Sequence, residues 1–275
     1  MESPGIRMSE PVTAAMAGTS GSDGPAGMPH ALTLAPIANP TLLALDSTGN
    51  ACSAAVWRDG ALAAHRLAEM TRGHGERLLP MVADVMKAAS LDMAALDAIA
   101  VTIGPGSFTG LRIGLAAARG LGLALARPVV GITAFLAVAA SLPAALRERR
   151  EILVAIDTKR DDVFLQRFDP ALRALAPARL MTVSEAIAGL PPGPLLLAGD
   201  GVALLAPSLP HDRDIATAPG SGLIEAALFA GLVARLVACG GGGAPEGPLL
   251  MPDPFYLRAP DVKLPGGLPA GPPPS

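Results

Sequence analysis

Apolar runs separated by short polar turns open the first half of the chain. They predict three strands, at 41–46, 52–58 and 61–68. Asp59 and Gly60, between the last two, are typical of a tight hairpin turn because both residue types tolerate positive φ. The start of the domain is therefore predicted to be a small antiparallel sheet.

The pattern then alternates between helical and strand periodicity. The elements predicted by it are a helix at about 75–89, a strand at 98–103, a helix at about 108–126, a strand at 128–132 and a helix at 134–142. In the first helix Leu78, Val82, Val85 and Met86 fall on one face. This order is typical of an α/β lobe with a mixed sheet.

The second half repeats the start of the first. The segment 42–47 aligns with 153–158 at an offset of 111 residues, and each ends in an aspartate, Asp46 or Asp157, followed by a hydroxyl residue. Elements predicted here are strands at 152–157, 162–168, 174–181 and 194–198, a helix from Val183 and a helix at 222–238. An apolar strand ending in Asp is also a common pattern on its own. The repeat predicts two lobes across a cleft.

The predicted organisation has four parts. Residues 1–40 are rich in Gly, Pro, Ser and Thr and contain no aromatic residue, and 263–275 are similar in composition. Such segments cannot offset ordering entropy by burial, so both ends are predicted to be disordered tails. The first lobe is predicted at 41–146 and the second, more divergent lobe at 147–262.

Composition narrows the class of protein. Hydrophobic residues make up 51% of the chain, enough for a substantial core, and the net charge of −3 argues against a broad nucleic-acid surface. The two cysteines, Cys52 and Cys239, are far apart, which excludes a disulfide scaffold and fits a reducing compartment. An uncharged stretch at 128–146 is punctuated by proline and glycine, which favours a strand and a short helix over a membrane span. We expect a cytoplasmic protein that does not enter a membrane.

The segment Gly104 to Gly110, Gly-Pro-Gly-Ser-Phe-Thr-Gly, joins a predicted strand to a helix start. Backbone N–H groups and the helix dipole there can bind an anion, although the P-loop lysine is absent and Arg112 follows instead. The candidate nucleotide or anion site comprises Asp46, Gly104, Gly106, Ser107, Thr109 and Arg112. A tight turn with Ser107 capping the helix explains the same residues.

The helix after this turn carries small residues at a spacing of four. They are Gly110, Gly114, Ala118, Gly122 and Ala126. Interior glycines cost helix stability, so close approach of another element is expected to compensate. That element is either the chain's own sheet or a partner helix.

The residues that could bind a metal ion or act as a nucleophile bear on whether the protein is an enzyme. Asp46 and Asp157 could point into the cleft and hold a nucleotide-bound Mg²⁺, or could cap turns after their strands. None of the four histidines, His30, His65, His74 and His211, is paired in a His-x₃-His motif, which argues against a metalloenzyme. His74, at a predicted helix start, is expected to cap the helix or to face solvent. No Gly-x-Ser-x-Gly nucleophile motif is present.

Four blocks in order resemble the bacterial TsaB (YeaZ) family. They are Leu43–Thr48, Ala51–Trp57, His74–Pro80 and Gly104–Gly114. The resemblance runs through about 41–135 and fades to short matches at 155–157, 199–201 and 256–258. It implies an actin/Hsp70-like (ASKHA) fold with two duplicated lobes, in agreement with the internal repeat.

The resemblance also implies a function. The family acts in forming threonylcarbamoyladenosine (t6A) at position 37 of tRNAs that read ANN codons. Its members are non-catalytic subunits: TsaD performs the transfer, and the ATPase TsaE joins the assembly. We therefore expect a heterodimer with TsaD, a homodimer when TsaD is absent, and tRNA contact mainly through the complex. No cofactor, catalytic residue or metal ligand is expected in this chain, with ATP or ADP expected only at the partner interface.

The resemblance places the partner on the helices predicted at 75–89 and 108–126. The candidate interface residues are His74, Arg77, Leu78, Met81, Gly110, Gly114, Ala118 and Gly122. The alternative is an autonomous ATPase or small-molecule kinase that uses Asp46, Asp157 and the Gly104–Gly110 loop.

Overall fold

A computed structural model describes residues 29–258, apart from 221, 242, 243 and 245. The strands are β1 (Ala31–Leu32), β2 (Leu42–Asp46), β3 (Ala51–Arg58), β4 (Ala61–Glu69), β5 (Ala98–Thr102), β6 (Val129–Ile132), β7 (Glu151–Asp157), β8 (Asp162–Phe168), β9 (Arg179–Thr182), β10 (Leu195–Ala198), β11 (Ile215–Thr217) and β12 (Leu249–Leu250). The helices are α1 (His74–Ala88), α2 (Phe108–Leu125), α3 (Ala134–Ser141), α4 (Ala144–Arg147), α5 (Val183–Ala188), α6 (Val202–Leu205) and α7 (Ala226–Ala238). Most predicted elements are confirmed to within a few residues.

Two mixed sheets carry the internal repeat. The first has the strand order β1-β12-β6-β5-β2-β3-β4, and the second has β11-β10-β7-β8-β9. In each, a central strand, β2 or β7, pairs antiparallel with the next strand of a meander and parallel with a later one. The quartets β5-β2-β3-β4 and β10-β7-β8-β9 therefore have the same topology, which confirms the duplicated α/β lobes.

The boundary of the second lobe differs from the predicted range 147–262. Helix α7 packs on β3 and β2 of the first sheet, and β12 pairs with β6 of that sheet. The backbone N–H of Ala226 donates to Ser53 Oγ at 2.9 Å, and Ser53 Oγ donates to the Ile224 carbonyl at 3.3 Å. Buried apolar residues of both halves consequently form one core, with a smaller one under the second sheet.

Two shorter segments also depart from the predicted pattern. Ala31 and Leu32, expected in the N-terminal tail, form β1, because β12 offers an unpaired edge at this end of the sheet. The strand predicted at 174–181 starts only at Arg179, since the Asp169 carboxylate accepts hydrogen bonds from the N–H groups of residues 171 and 173 and turns the chain there. The remaining tail residues, 1–28 and 263–275, lie outside the described part of the chain.

Candidate functional site

A cavity of about 710 Å³ lies in the cleft between the two lobes. The first lobe contributes the β2–β3 turn, the start of α1 and the turn before α2. The second lobe contributes the β7–β8 turn and Asp200, and residues 255–258 also line the cavity. The cleft that the internal repeat predicts is therefore present.

Asp46 does not point into this cleft. Its side chain is fully buried, and its Oδ1 accepts hydrogen bonds from the hydroxyls of Thr48, at 2.6 Å, and Thr102, at 2.5 Å. Burial raises the pKa of this carboxyl above its ordinary value, against the opposing effect of those hydrogen bonds. Its Oδ2 has no hydrogen-bond partner. This corrects the expectation that Asp46 binds a cation or anion. Its buried side chain instead links the end of β2 to the end of β5 through the hydrogen bond from Thr102.

Asp157 does lie in the cleft, where it forms an ion pair with Lys159. Lys159 Nζ lies 3.0 Å from Asp157 Oδ2 and 3.2 Å from Asp200 Oδ2. Partial burial would lower the pKa of Lys159, but the bonds and charges of these two carboxylates raise it. The ammonium therefore lies between the two carboxylates, and a divalent cation could bind there only if the exposed Lys159 side chain moved away.

The glycine-rich turn is packed against the chain itself. A Cβ on Gly106 would overlap the Thr48 carbonyl, and the Ser107 N–H donates to that carbonyl at 2.7 Å. Ser107 Oγ accepts from the Gly110 N–H at 3.3 Å and caps α2. Gly104 has a φ of +97°, and its carbonyl accepts a hydrogen bond of 2.7 Å from the Ala134 N–H. Gly106 and Ser107 are nevertheless exposed and line the cavity. The anion site at this turn therefore stays a prediction, and the glycines also provide close backbone packing.

Arg112 and Thr109, the other two candidate anion ligands, have different surroundings. The Arg112 guanidinium lies 3.8 Å from the centroid of the Phe108 ring, and its Nε donates to the Tyr256 hydroxyl at 3.3 Å. The Phe108 and Tyr256 rings also contact each other, with their centroids 5.7 Å apart. Thr109 is exposed on the first turn of α2. Arg112 thus holds the C-terminal segment to α2.

The stripe of small residues on α2 faces the chain's own sheet. Gly110, Gly114, Ala118 and Gly122 are all buried. A Cβ at Gly110 would overlap the Ser47 carbonyl, one at Gly114 would stand 2.7 Å from Ser47 Oγ, and one at Gly122 would overlap the Val129 side chain. The assignment of these four residues to a partner interface is therefore wrong, because close helix–sheet packing already uses them.

Of the four candidate interface residues on α1, three are buried and one is exposed. Leu78 and Met81 are buried in the core, and His74 is buried with its Nε2 3.2 Å from the Gly49 carbonyl. These three side chains are thus unavailable to a partner. Arg77 is exposed and stays a predicted contact.

A different face of α1 and α2 is exposed, and the sequence pattern did not reveal it. Its apolar residues are Leu79, Ala83, Ala116, Gly120 and Leu123, which we call the helix face. Leu123 is 87% exposed and Leu79 is 52% exposed, while a Cβ on Gly120 would meet nothing within 4 Å. The signal that could have found it is Leu123 on the side of α2 opposite the glycine stripe.

Metal-binding clusters and membrane-length helices are two further features of the described residues. No group of three or more His, Cys, Asp or Glu side chains there could hold a metal ion. One helix in that part of the chain, α2, is long and apolar enough to cross a membrane by length and composition, and 33% of it is buried. The stretch at 128–146 forms β6, α3 and the start of α4, as predicted.

Two mixed sheets of equal topology around a cleft define the class: this is an α/β protein with the actin/Hsp70-like (ASKHA) fold. The crystal structure of YeaZ from Pseudomonas aeruginosa matches it with a TM-score of 0.66 and 30% sequence identity over 79% of this chain and 100% of that one. The chain belongs to the TsaB/YeaZ family, which takes part in t6A biosynthesis.

Sequence comparisons agree with this assignment. The tRNA threonylcarbamoyladenosine biosynthesis protein TsaB of Escherichia coli is 37% identical over 125 residues, 45% of this chain and 52% of that protein. An uncharacterized protein of Mycobacterium tuberculosis, Rv3421c, is 34% identical over 228 residues, 81% of this chain and 94% of that protein. Residues 67–227 also match the family model described as TsaD, tRNA N6-adenosine threonylcarbamoyltransferase.

Proposed function

We propose that this chain is the non-catalytic subunit that binds TsaD and supports t6A formation at position 37 of tRNAs that read ANN codons. The observation that carries the proposal is the exposed helix face on α1 and α2. In a single chain its apolar side chains are exposed to water, and large exposed leucines on two neighbouring helices support an interaction site there.

The shape of the helix face suits another helix pair. Ala83, Ala116 and Gly120 lack long side chains, so a second helix can approach closely, and Leu123 and Leu79 project as anchors for pockets on the partner. The partner is TsaD, to whose family model this chain is similar, or a second copy of the chain when TsaD is absent. TsaE then joins the heterodimer, and ATP or ADP and tRNA are contacted through the assembly.

The cleft supports a binding role over an autonomous ATPase or kinase. Such an enzyme would need Asp46 and Asp157 free for a metal-bound nucleotide. Here Asp46 is enclosed by threonine hydroxyls, and Lys159 forms ion pairs with Asp157 and Asp200. The alternative enzyme therefore has less support than the scaffold subunit.

A binding titration against purified TsaD tests the proposal. Leu123→Arg places a charge on the helix face, and we expect it to weaken TsaD binding by about thirtyfold or more, because the charge would be buried without a partner. Leu175→Arg is the matched control, since Leu175 is 49% exposed but lies between β8 and β9. Equal affinity of the Leu123→Arg variant and the wild type would contradict the proposed interface.

A further inference from the structure

Residues 251–258, which we call the strap, follow β12 and run to the cleft, where the last four of them line the cavity. Two backbone hydrogen bonds fix the strap to the first lobe. The Met251 N–H donates to the His30 carbonyl at 2.8 Å, and the Phe255 N–H donates to the Ile103 carbonyl at 2.7 Å. The Phe255 side chain is buried. The beginning and the middle of the strap are therefore part of the first lobe.

The strap also lies along one flank of α2. Arg119 Nη2 donates to the Pro252 carbonyl at 2.5 Å and to Asp253 Oδ1 at 2.6 Å. Two turns earlier on the same flank, Arg112 Nε donates to the Tyr256 hydroxyl. Three hydrogen bonds thus join α2 to the strap, which has a defined path up to Tyr256.

The last described residue of the strap crosses to the other lobe. Arg258 Nη2 donates to Asp162 Oδ2, at the first residue of β8 in the second sheet. Each of the two side chains is 23% exposed, so the pair is shielded from solvent more than most surface ion pairs. The Thr158 hydroxyl and then Arg258 hold the pKa of Asp162 below its ordinary value.

The crossing takes place at the cavity in the cleft, which Tyr256, Leu257 and Arg258 line together with the β7–β8 turn. The lobes are also joined by the core that they share and by α3, which packs on β7 and β8. We propose that the strap is a latch: the Arg258–Asp162 pair holds the two lobes closed over the cleft, and its release lets the cleft open.

A distance measurement across the cleft tests the latch on the full chain. Asn50→Cys in the β2–β3 turn and Asp161→Cys in the β7–β8 turn place two spin labels on opposite lobes, in a Cys239→Ser background. Cys52 can stay, because it is buried and burial raises the pKa of its thiol to about 11, which keeps it unreactive. Pulsed electron–electron double resonance then gives the distribution of distances between the two spin labels.

The expected result is a shift to longer distances in Arg258→Gln, with a broader distribution than in the parent protein. The charge-swapped variant Arg258→Asp with Asp162→Arg should restore the parent distribution, because it rebuilds the pair. Arg173→Gln is the matched control, since it removes an Arg–Asp pair that lies wholly within the second lobe, Arg173 with Asp169 at 2.8 Å.

Hydrogen exchange supplies a second readout that does not depend on the labels. In Arg258→Gln the Phe255 amide should exchange about fivefold faster, the change expected for losing one ion pair of about 1 kcal/mol. Unchanged label distances in Arg258→Gln, with circular dichroism showing the native fold, would overturn the latch. Faster exchange in the strap without a distance change would do the same, because it would show fraying of the strap alone.

Discussion

The hydroxyl of Ser47 donates a hydrogen bond of 2.8 Å to the carbonyl of Gly110, and the Ser47 carbonyl occupies the space that a Cβ on Gly110 would need. This contact joins the end of the central strand β2 to the first turn of α2. It explains why a glycine is required at the start of a helix, where alanine would otherwise be preferred.

The first prediction compares two glycines of α2. Gly110→Ala should lower the free energy of unfolding by about 2 kcal/mol, because the β2–β3 turn must shift to admit the methyl group. Gly120→Ala, on the open face of the same helix, should raise it by about 0.8 kcal/mol through helix propensity. Urea denaturation followed by circular dichroism measures both. Equal effects at the two positions would disprove the packing of the stripe on the sheet.

The second prediction concerns the pH dependence contributed by Asp46. Because its pKa is raised in the folded state, the folded protein binds a proton more tightly than the unfolded chain does. Stability from this group is fully present below the ordinary value of 3.8 and is lost as the pH rises through the folded pKa. Asp46→Asn lacks this titration.

Denaturation curves across the pH range check it. The stability of Asp46→Asn relative to the wild type should increase as pH rises above 3.8, by at most about 1.4 kcal/mol per pH unit. A difference between the two proteins that stays constant with pH would show that Asp46 is ionised in the folded state without penalty.

The third prediction uses the single tryptophan of the chain, Trp57. A Cβ on Gly231 of α7 would stand 2.8 Å from the indole ring, so the ring packs directly on this helix. Gly231→Leu should displace the indole toward water, shift its fluorescence to longer wavelength and lower stability by about 2 kcal/mol. Leu228→Ala, at an exposed position of α7, is the control and should leave the emission unchanged. An unshifted spectrum in Gly231→Leu would contradict the docking of α7 on the first sheet.

The fourth prediction distinguishes the scaffold from the ATPase. Since Lys159 lies between Asp157 and Asp200, millimolar MgATP should not raise the Tm of the wild-type protein. Lys159→Ala should cost at most about 1 kcal/mol, because the lysine is largely exposed. A wild-type Tm that rises with MgATP, together with ATP turnover that Asp46→Ala abolishes, would favour the autonomous enzyme.

Sequence reasoning predicted the order of elements well because each has a clear period or turn signal. The repeat of 42–47 at 153–158 also predicted the paired sheets. The destination of α7 and β12 could not be predicted, since it depends on long-range contacts such as Ser53 with Ala226.

The candidate site was predicted less well, for a physical reason. The stripe on α2 and the glycine-rich turn both signal close backbone approach, and sequence does not say whether the approaching atoms belong to the same chain. Asp46 and Asp157 occupy equivalent places in the repeat, but Thr48 and Thr102 enclose only the first of them. The helix face could not be recognised from an alternation of apolar and polar residues, because alanine and glycine occur at both buried and exposed positions.

Reconstituted tRNA modification tests the central claim most directly. TsaD, TsaE, a carbamoyl-adenylate supplier and an unmodified tRNA that reads an ANN codon are incubated with and without this chain, and t6A is quantified by mass spectrometry of nucleosides. We predict that t6A forms only when the chain is present, that Leu175→Arg supports it fully, and that Leu123→Arg reduces it at least about tenfold. Equal t6A formation in the absence of the chain would contradict its role as a required subunit.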